Sequence, residues 1–321
     1  MTTMIPMAPR SVTQPSVRTL YHLTEEQIQF FDEHGYLILR RWITGELLER
    51  LQAAGQAWIT QGMSDDNLAL DRSNGIWEDY VFAKRPSGRV MYRVNYLHNK
   101  GQSASLELLG CPQVLAVAES LCGPNFVPTY ESMVFKQEND GEKIIWHQDA
   151  IHPRNHRIFN FDVYLDPSHS GAGALRVIPG THHQKQDFCN ISDTYGWDVP
   201  DSIEVEMEPG DVLLHDVMVA HGSPETHGAA LRRTLYYEFR AAEEIVLDGP
   251  WDRSWIDRRM RLVPVALRRY REAFPHADQF QWNISDEFRP QVTGDEAEEL
   301  KVAHLVHMNG AYCSAGDAGR S

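Results

Sequence analysis

The chain has little positive charge, few cysteines and no long hydrophobic run. Among its 321 residues, 30 are Lys or Arg and 45 are Asp or Glu, so the formal net charge is −15. An acidic surface repels phosphate backbones and anionic lipids, which argues against nucleic-acid and membrane partners. No apolar stretch approaches the roughly 20 residues of a membrane span. The N-terminus also lacks the compact apolar segment of a secretion signal.

The four cysteines lie far apart in the sequence and form no CxxC pair, at positions Cys111, Cys122, Cys189 and Cys313. Scattered cysteines are typical of free thiols in a reducing compartment. We therefore expect four unpaired thiols and a cytoplasmic location.

The remaining composition is that of a folded protein. Hydrophobic residues make up 42% and charged residues 23%, which leaves ample material for a core. Residues 1–20 are rich in Pro, Thr and Ser and predict a flexible arm. We expect the main domain over residues 21–250 and a helical extension with a tail over residues 251–321.

Local patterns predict the first elements. Thr24 and Gln27 form a capping-box pattern, and Gly35 marks the end of the helix that they begin. A short strand follows at 36–39, and Thr44 precedes a second apolar-periodic helix. Residues 62–100 contain many Gly, Asp, Asn and Ser and predict a long loop.

The middle of the chain is mainly β. Residues 104–121 predict a helix interrupted by Pro112, but from 126 to 245 short apolar runs recur between Gly and Pro turns. Strands of this length and spacing are typical of a sandwich or barrel. Residues 251–275 predict helices in which most of the many arginines face solvent.

The chemistry is concentrated in the segment Trp146-His147-Gln148-Asp149. Positions i and i+2 of a strand share a face, so His147 and Asp149 can reach one metal ion. A third ligand could be His215 or His221. Two imidazoles and one carboxylate on one side of a metal leave open positions opposite, as in non-haem Fe(II) oxygenases.

An arginine at the start of the last strand predicts an anion clamp. A guanidinium can hold a carboxylate through two parallel hydrogen bonds, as the distal end of 2-oxoglutarate requires. Arg232 and Arg233 both qualify. Strand alternation places Arg233 with Leu235 and Tyr237, on the apolar face.

Jointly these segments resemble the phytanoyl-CoA dioxygenase family of Fe(II)/2-oxoglutarate oxygenases. The resemblance runs from about residue 25 to 245. It is carried by the start Gln27 to Leu37, by Ser132 to Lys136, by the HxD segment, by Val177 to His182, and by His221 to Arg233.

The resemblance implies a role for each of seven residues: metal ligation by His147, Asp149 and His221, binding of the distal 2-oxoglutarate carboxylate by Arg232 and Ser223, lining of the co-substrate pocket by Met133, and contact with co-substrate or substrate by Arg93. The family spacing thus favours His221 over His215 and Arg232 over Arg233.

The resemblance also implies a fold and an activity. We expect a cupin-like double-stranded β-helix, or jelly roll, with flanking helices. It would use Fe(II), 2-oxoglutarate and O₂, with ascorbate supportive in vitro, to hydroxylate an unactivated C–H of a small molecule. Desaturation, epoxidation or cyclisation at the same centre is an alternative, as is a non-catalytic metal-binding jelly roll. We expect a monomer or homodimer.

Asp162 departs from the family pattern, which often has a large side chain at this place. Alternation with Phe161 and Val163 would turn Asp162 and Tyr164 to solvent. The family spacing would instead turn Asp162 into the cavity, bonded to substrate or to a basic residue such as Arg93.

Overall fold

The structure is a computed structural model that describes residues 20–64, 79–85, 88–137, 142–153, 155–225, 231–303 and 310–313. The predicted arm, except for Leu20, lies outside these residues. The helices are α1 Glu25–His34, α2 Gly45–Gly62, α3 Ala104–Gly110, α4 Pro112–Cys122, α5 Phe188–Tyr195, α6 Ala242–Asp248, α7 Arg253–Met260, α8 Leu262–Ala273 and α9 Glu296–Glu299. The strands are β1 Tyr36–Leu39, β2 Tyr80–Arg85, β3 Gly88–Asn95, β4 Phe126–Lys136, β5 Ile144–His147, β6 Phe159–Tyr164, β7 Leu175–Ile178, β8 Ile203–Val205, β9 Val212–Asp216, β10 Ala220–Ser223 and β11 Arg232–Ala241.

These strands form two antiparallel sheets. The larger sheet has the order β1-β9-β6-β11-β4-β3-β2, and the smaller one has the order β5-β10-β7-β8. From β4 onward the chain passes repeatedly from one sheet to the other, so most neighbours in a sheet are distant in sequence, although β2–β3, β3–β4 and β7–β8 are consecutive. This arrangement is a double-stranded β-helix with flanking helices, which confirms the predicted fold class.

The first elements form where their caps predict them. The Thr24 hydroxyl accepts a hydrogen bond from the Gln27 amide, and the Gln27 side chain accepts one from the Thr24 amide. Gly35 ends α1 with a φ of 77°, a left-handed conformation that favours glycine. Thr44 is extended at the start of α2 but makes no side-chain capping bond.

The predicted loop at 62–100 is wrong at Tyr80–Arg85 and Gly88–Asn95, and its part at 65–78 lies outside the described residues. Strands β2 and β3 pair antiparallel there and extend the edge of the larger sheet through β4. Val81, Met91 and Val94 are buried. The polar and basic residues between them hid the alternation, because an edge hairpin keeps one face partly in solvent.

Hydrophobic side chains pack on both faces of the larger sheet. Phe161 and Val163 of β6 pack among the helices in the main hydrophobic cluster. Tyr164 packs on the opposite face with Val177 and Leu213, between the two sheets.

The solvent exposure predicted for most arginines of residues 251–275 does not extend to Arg259. This residue is 1% exposed and is bonded to Glu131 and to the Pro128 carbonyl.

The prediction of four free thiols is wrong for two of them. Cys189 on α5 is joined by a disulfide to Cys313, with 4.5 Å between their Cα atoms. A separation of 124 residues leaves no local signal of such a pair. Cys111 and Cys122 are unpaired, and burial raises the pKa of the Cys111 thiol to about 12.

By length and composition, no single described helix could cross a membrane. Helices α3 and α4 meet such a test only jointly, across a bend of 52°.

Two helix glycines predict contrasting stability effects. A Cβ at Gly110 would lie 2.1 Å from the Ala266 carbonyl oxygen of α8, whereas one at Gly55 would meet side-chain atoms at 3.1 Å or more. Gly110→Ala is therefore expected to lower the free energy of unfolding by about 1–3 kcal/mol through overpacking. Gly55→Ala is expected to cost less, since alanine favours the helix by about 1 kcal/mol. Denaturant unfolding of both variants gives the comparison, and equal effects would contradict it.

Candidate metal centre

Three predicted ligands converge between the sheets. His147 ends β5, Asp149 lies two residues beyond, and His221 lies on the neighbouring strand β10, directly opposite His147. One donor atom from each residue lies within 4.8 Å of the others. His215, the alternative third ligand, lies outside this group, although its ring centroid is 4.8 Å from that of His221.

Backbone carbonyls orient both imidazoles. Nδ1 of His147 lies 2.8 Å from the Ile145 carbonyl, and Nδ1 of His221 lies 3.0 Å from the Val219 carbonyl. Each ring therefore directs Nε2 toward Oδ1 of Asp149, at 3.3 and 3.7 Å. Burial and then His147 lower the pKa of His221 to about 3, so its imidazole is neutral, as a metal ligand must be.

The Asp149 carboxylate has two distinct sides. Its Oδ2 accepts a hydrogen bond from the Asn160 amide at 3.1 Å and lies 3.4 Å from Nε2 of His215. Oδ1 is left facing the two histidines. Burial raises the pKa of Asp149, but its three histidine neighbours outweigh burial and hold it well below the usual value. The group is thus a carboxylate that offers one oxygen to a metal.

Asp162 is bonded to Nδ1 of His215, the ring nitrogen that does not face Asp149. Asp162 is 4% exposed, so the solvent-facing alternative is wrong, and its Oδ2 lies 2.8 Å from Nδ1 of His215. The basic partner is thus His215 and not Arg93. Burial lowers the pKa of His215, but Asp162 and Asp149 outweigh this and raise it to about 10. The alternation was read correctly, but both faces of β6 are buried, and Asp162 lies on the one between the sheets.

The donor set suits Fe(II). Two imidazole nitrogens and one carboxylate oxygen on a common side are the facial arrangement of non-haem iron oxygenases. Carbonyl and amide partners outside the ligands fix ring orientation and carboxylate geometry, as is usual for metal sites. His147, Asp149 and His221 could therefore hold Fe(II) in this centre.

The two candidate arginines point to opposite faces of the larger sheet. Arg233 forms a two-point ion pair with Asp166, at 2.7 and 2.8 Å, and donates to the Gln52 carbonyl on the helix side. Arg232 lies between the sheets, where its guanidinium donates to the Ser168 hydroxyl and the Gly173 carbonyl. Within the described ranges Arg232 has no carboxylate partner, so its guanidinium can bind an incoming one.

Ser223 and a missed residue, Lys136, lie beside Arg232. The Ser223 hydroxyl is 3.5 Å from Nη2 of Arg232, and Nζ of Lys136 donates to that hydroxyl at 2.7 Å. Lys136 is opposite Arg232 in the β4–β11 register. Alternation from Ser132 could have predicted this position, but the pairing of β4 with β11 could not be read from the sequence.

Arg93 and Met133, the last two predicted site residues, lie on opposite faces of the larger sheet. Arg93 lies on the inner face, with its Cζ 6.0 Å from the centre of the Tyr236 ring, and it interacts electrostatically with Asp149. Met133 lies on the helix side, where its sulfur would be 3.1 Å from a Cβ at Gly55. The predicted place of Met133 in the co-substrate pocket is therefore wrong, because neighbouring residues of a strand face opposite ways.

The Asp162–His215 pair predicts an effect on metal binding. Asp162→Ala is expected to weaken metal affinity by about 10–100-fold, since His215 loses the partner that holds it against Asp149. Asp162→Asn is expected to lose less, because its amide oxygen can still accept from Nδ1. Titration of the metal-free variants with Ni(II) measures both affinities. Wild-type affinity in Asp162→Ala would contradict this account.

Comparisons with known proteins agree with the geometry of this centre. The family model described as phytanoyl-CoA dioxygenase (PhyH) matches residues 31–234. One relative, from Stutzerimonas stutzeri, is named "Probable alpha-ketoglutarate-dependent hypophosphite dioxygenase" and is 25% identical over 246 residues, which cover 70% of this chain and 81% of the relative. Alpha-ketoglutarate is a synonym of 2-oxoglutarate.

Solved structures share the fold. The crystal structure of EvdMO1 has a TM-score of 0.57 and 26% identity, and the match covers 68% of this chain. This chain spans half of the EvdMO1 chain. EctD from S. alaskensis, solved with 2-oxoglutarate and 5-hydroxyectoine, has a TM-score of 0.54 and 20% identity over 72% of this chain and 79% of its own. At that identity the likeness to EctD shows the fold alone.

Proposed function

We propose that this chain, which belongs to the phytanoyl-CoA dioxygenase family of Fe(II)/2-oxoglutarate oxygenases, hydroxylates an unactivated C–H of a small molecule. The products of the co-substrate would be succinate and CO₂. The observation that carries the proposal is the convergence of His147, Asp149 and His221 on one side of the space between the sheets. Arg232 lies in the same space.

The proposed ligands are these three residues, and their roles follow from their surroundings. Fe(II), when bound, would supply the chemistry of oxidative decarboxylation and C–H oxidation with 2-oxoglutarate and O₂. Arg232 would hold the distal carboxylate of 2-oxoglutarate, with Ser223 and Lys136 beside it. Arg93 would contact co-substrate or substrate from the inner face of β3.

Burial of the centre favours controlled oxidation. His147 and His221 are 3% and 6% exposed, and both side chains lie among the packed residues between the sheets. Exclusion of water from around these two imidazoles limits side reactions of the bound centre with water. The protein thereby supplies binding, orientation and shielding, while the cofactor supplies reactivity.

The proposal extends to the location, the oligomeric state and the other possible reactions of this protein. We expect a cytoplasmic location and a monomer or homodimer. Ascorbate would support turnover in vitro by keeping the iron reduced. A different oxidative outcome, such as desaturation, epoxidation or cyclisation, would use the same residues, and a non-catalytic metal-binding protein would use only the metal ligands.

A substrate screen distinguishes these outcomes. The protein is incubated with Fe(II), ascorbate, 2-oxoglutarate and a library of small molecules, and the products are read by mass spectrometry. A gain of one oxygen atom supports hydroxylation when the substrate has no C=C bond to epoxidise, and a loss of two hydrogens indicates desaturation or ring formation. If 2-oxoglutarate is never consumed with any candidate, the catalytic proposal is contradicted.

A further inference from the structure

A short C-terminal segment lies directly on the metal centre. Residues 310–313, here called the strap, lie far beyond residue 234, where the family match ends. Ala311 and Gln148 exchange two backbone hydrogen bonds, of 3.1 and 3.0 Å. Gln148 separates His147 from Asp149, so the strap is bonded to the metal-binding segment itself.

Tyr312 of the strap covers one of the proposed ligands. Its ring stacks on that of His147, with centroids 5.5 Å apart and planes 10° from parallel. The His221 ring lies 4.2 Å from the same imidazole. Tyr312 therefore restrains the tilt of the His147 ring. Its own aromatic ring is separated from the metal position by that imidazole.

The close approach of the strap depends on a glycine. A Cβ at Gly310 would lie 2.6 Å from the Gln148 carbonyl oxygen and 2.8 Å from that of Asp149. Backbone atoms cannot yield as flexible side chains do. A side chain at this position would therefore push the strap away from the centre.

The strap has a covalent anchor and an apolar one. Cys313 is joined to Cys189 on α5, and Ala311 is buried with Trp146 and Phe188. Segments of this size make few contacts and open easily unless they are tied down. The disulfide ties this one beside the metal.

We infer that the strap forms a wall of the substrate pocket, and that Tyr312 is a positioning and specificity-determining residue held in place by the Cys189–Cys313 disulfide. This inference rests on the proposed function. A substrate placed over the metal beside His147 contacts the Tyr312 ring. Opening of the disulfide frees the strap, so the pocket loses this wall under reducing conditions.

The reduction is a balanced exchange with a dithiol. The dithiol gives up two electrons and two protons and closes to its own disulfide. The Cys189–Cys313 bond breaks and yields two thiols. Cytosolic disulfides are uncommon and are mostly catalytic or redox-sensing, which suits such an anchor.

The first test uses metal-free protein, so it does not depend on activity. Hydrogen exchange at the Gln148 and Ala311 amides is measured in wild type, in Cys189→Ser and in the control Cys122→Ser, with and without dithiothreitol. We expect slow exchange in wild type and Cys122→Ser, and faster exchange in Cys189→Ser and after reduction. Equal exchange in all samples would overturn the anchoring role.

The second test separates Tyr312 from the overall fold. We expect Tyr312→Ala to release bound Ni(II) to a chelator about tenfold faster, as loss of a residue that orients a ligand does, while Tyr312→Phe retains the stack and the slow rate. For a substrate found by screening, Tyr312→Ala should raise KM without changing the affinity for 2-oxoglutarate. Wild-type Ni(II) release and KM in Tyr312→Ala would overturn the inference. A wild-type protein that makes no succinate would refute the proposed function and leave the exchange and Ni(II) results standing.

Discussion

Asp149→Ala or His147→Ala is expected to abolish turnover and to weaken Fe(II) binding by more than about 100-fold. Each change leaves only two protein ligands, and even residues outside the ligand shell cost about 10–100-fold when removed. Calorimetric titration with Fe(II) under anaerobic conditions measures the affinity. Succinate formation in air measures turnover.

A histidine elsewhere provides the control for this loss. The His169 side chain is 53% exposed and lies 3.8 Å from Glu208, outside the metal centre. His169→Ala should bind Fe(II) and turn over as wild type does. Near-normal activity in Asp149→Ala would show that the ligands are assigned wrongly.

Arg232→Ala is expected to weaken 2-oxoglutarate binding by about ten- to a hundredfold while the metal stays bound. The estimate follows because a hydrogen-bonded charge pair is worth roughly 1.5–3 kcal/mol, and each 1.4 kcal/mol is about a factor of ten. Titration of Ni(II)-loaded protein with 2-oxoglutarate gives the dissociation constant. Arg232→Lys should recover only part of the affinity, because an ammonium cannot form the planar two-point pair.

The neighbouring arginine is the matched control. Arg233 is 7% exposed and pairs with Asp166, so Arg233→Ala should lower the free energy of unfolding by about 3–5 kcal/mol. The folded fraction should still bind 2-oxoglutarate with wild-type affinity. If Arg233→Ala lost 2-oxoglutarate affinity and Arg232→Ala kept it, strand alternation would be the better guide to the clamp.

Local features of the fold could be predicted because they depend on neighbouring residues. The capping box of Thr24 and Gln27, the left-handed Gly35 and the break at Pro112 are each determined within a few positions. The hairpin of β2 and β3 was missed because it lies at a sheet edge. Its strands carry three arginines and a lysine, which are residue types common in loops.

The centre itself was only partly predictable. The HxD segment and the spacing to His221 pointed to a metal, and the family spacing, not strand alternation, favoured Arg232 over Arg233. The Asp162–His215–Asp149 chain joins β6 and β9 of the larger sheet to the segment that follows β5 of the smaller one, and sequence spacing does not reveal this contact. Alternation also cannot tell which face of a strand is solvent when both are covered.

The strap also could not be predicted from the sequence, because the residues that it contacts are even farther away along the chain. Cys189 and Cys313 are 124 residues apart, and Tyr312 approaches His147 only in the folded chain. A small, polar C-terminus is typical of a frayed end. Here a disulfide and two backbone hydrogen bonds hold part of it against the metal segment.

Isotope labelling tests the central claim most directly and needs no knowledge of the substrate. The protein is incubated with Fe(II) and 2-oxoglutarate under ¹⁸O₂, and the succinate is analysed by mass spectrometry. A 2-oxoglutarate oxygenase places one atom of O₂ in succinate, so we predict singly labelled succinate from wild type and none from Asp149→Ala. Unlabelled succinate, or equal labelled succinate from Asp149→Ala, would contradict the account.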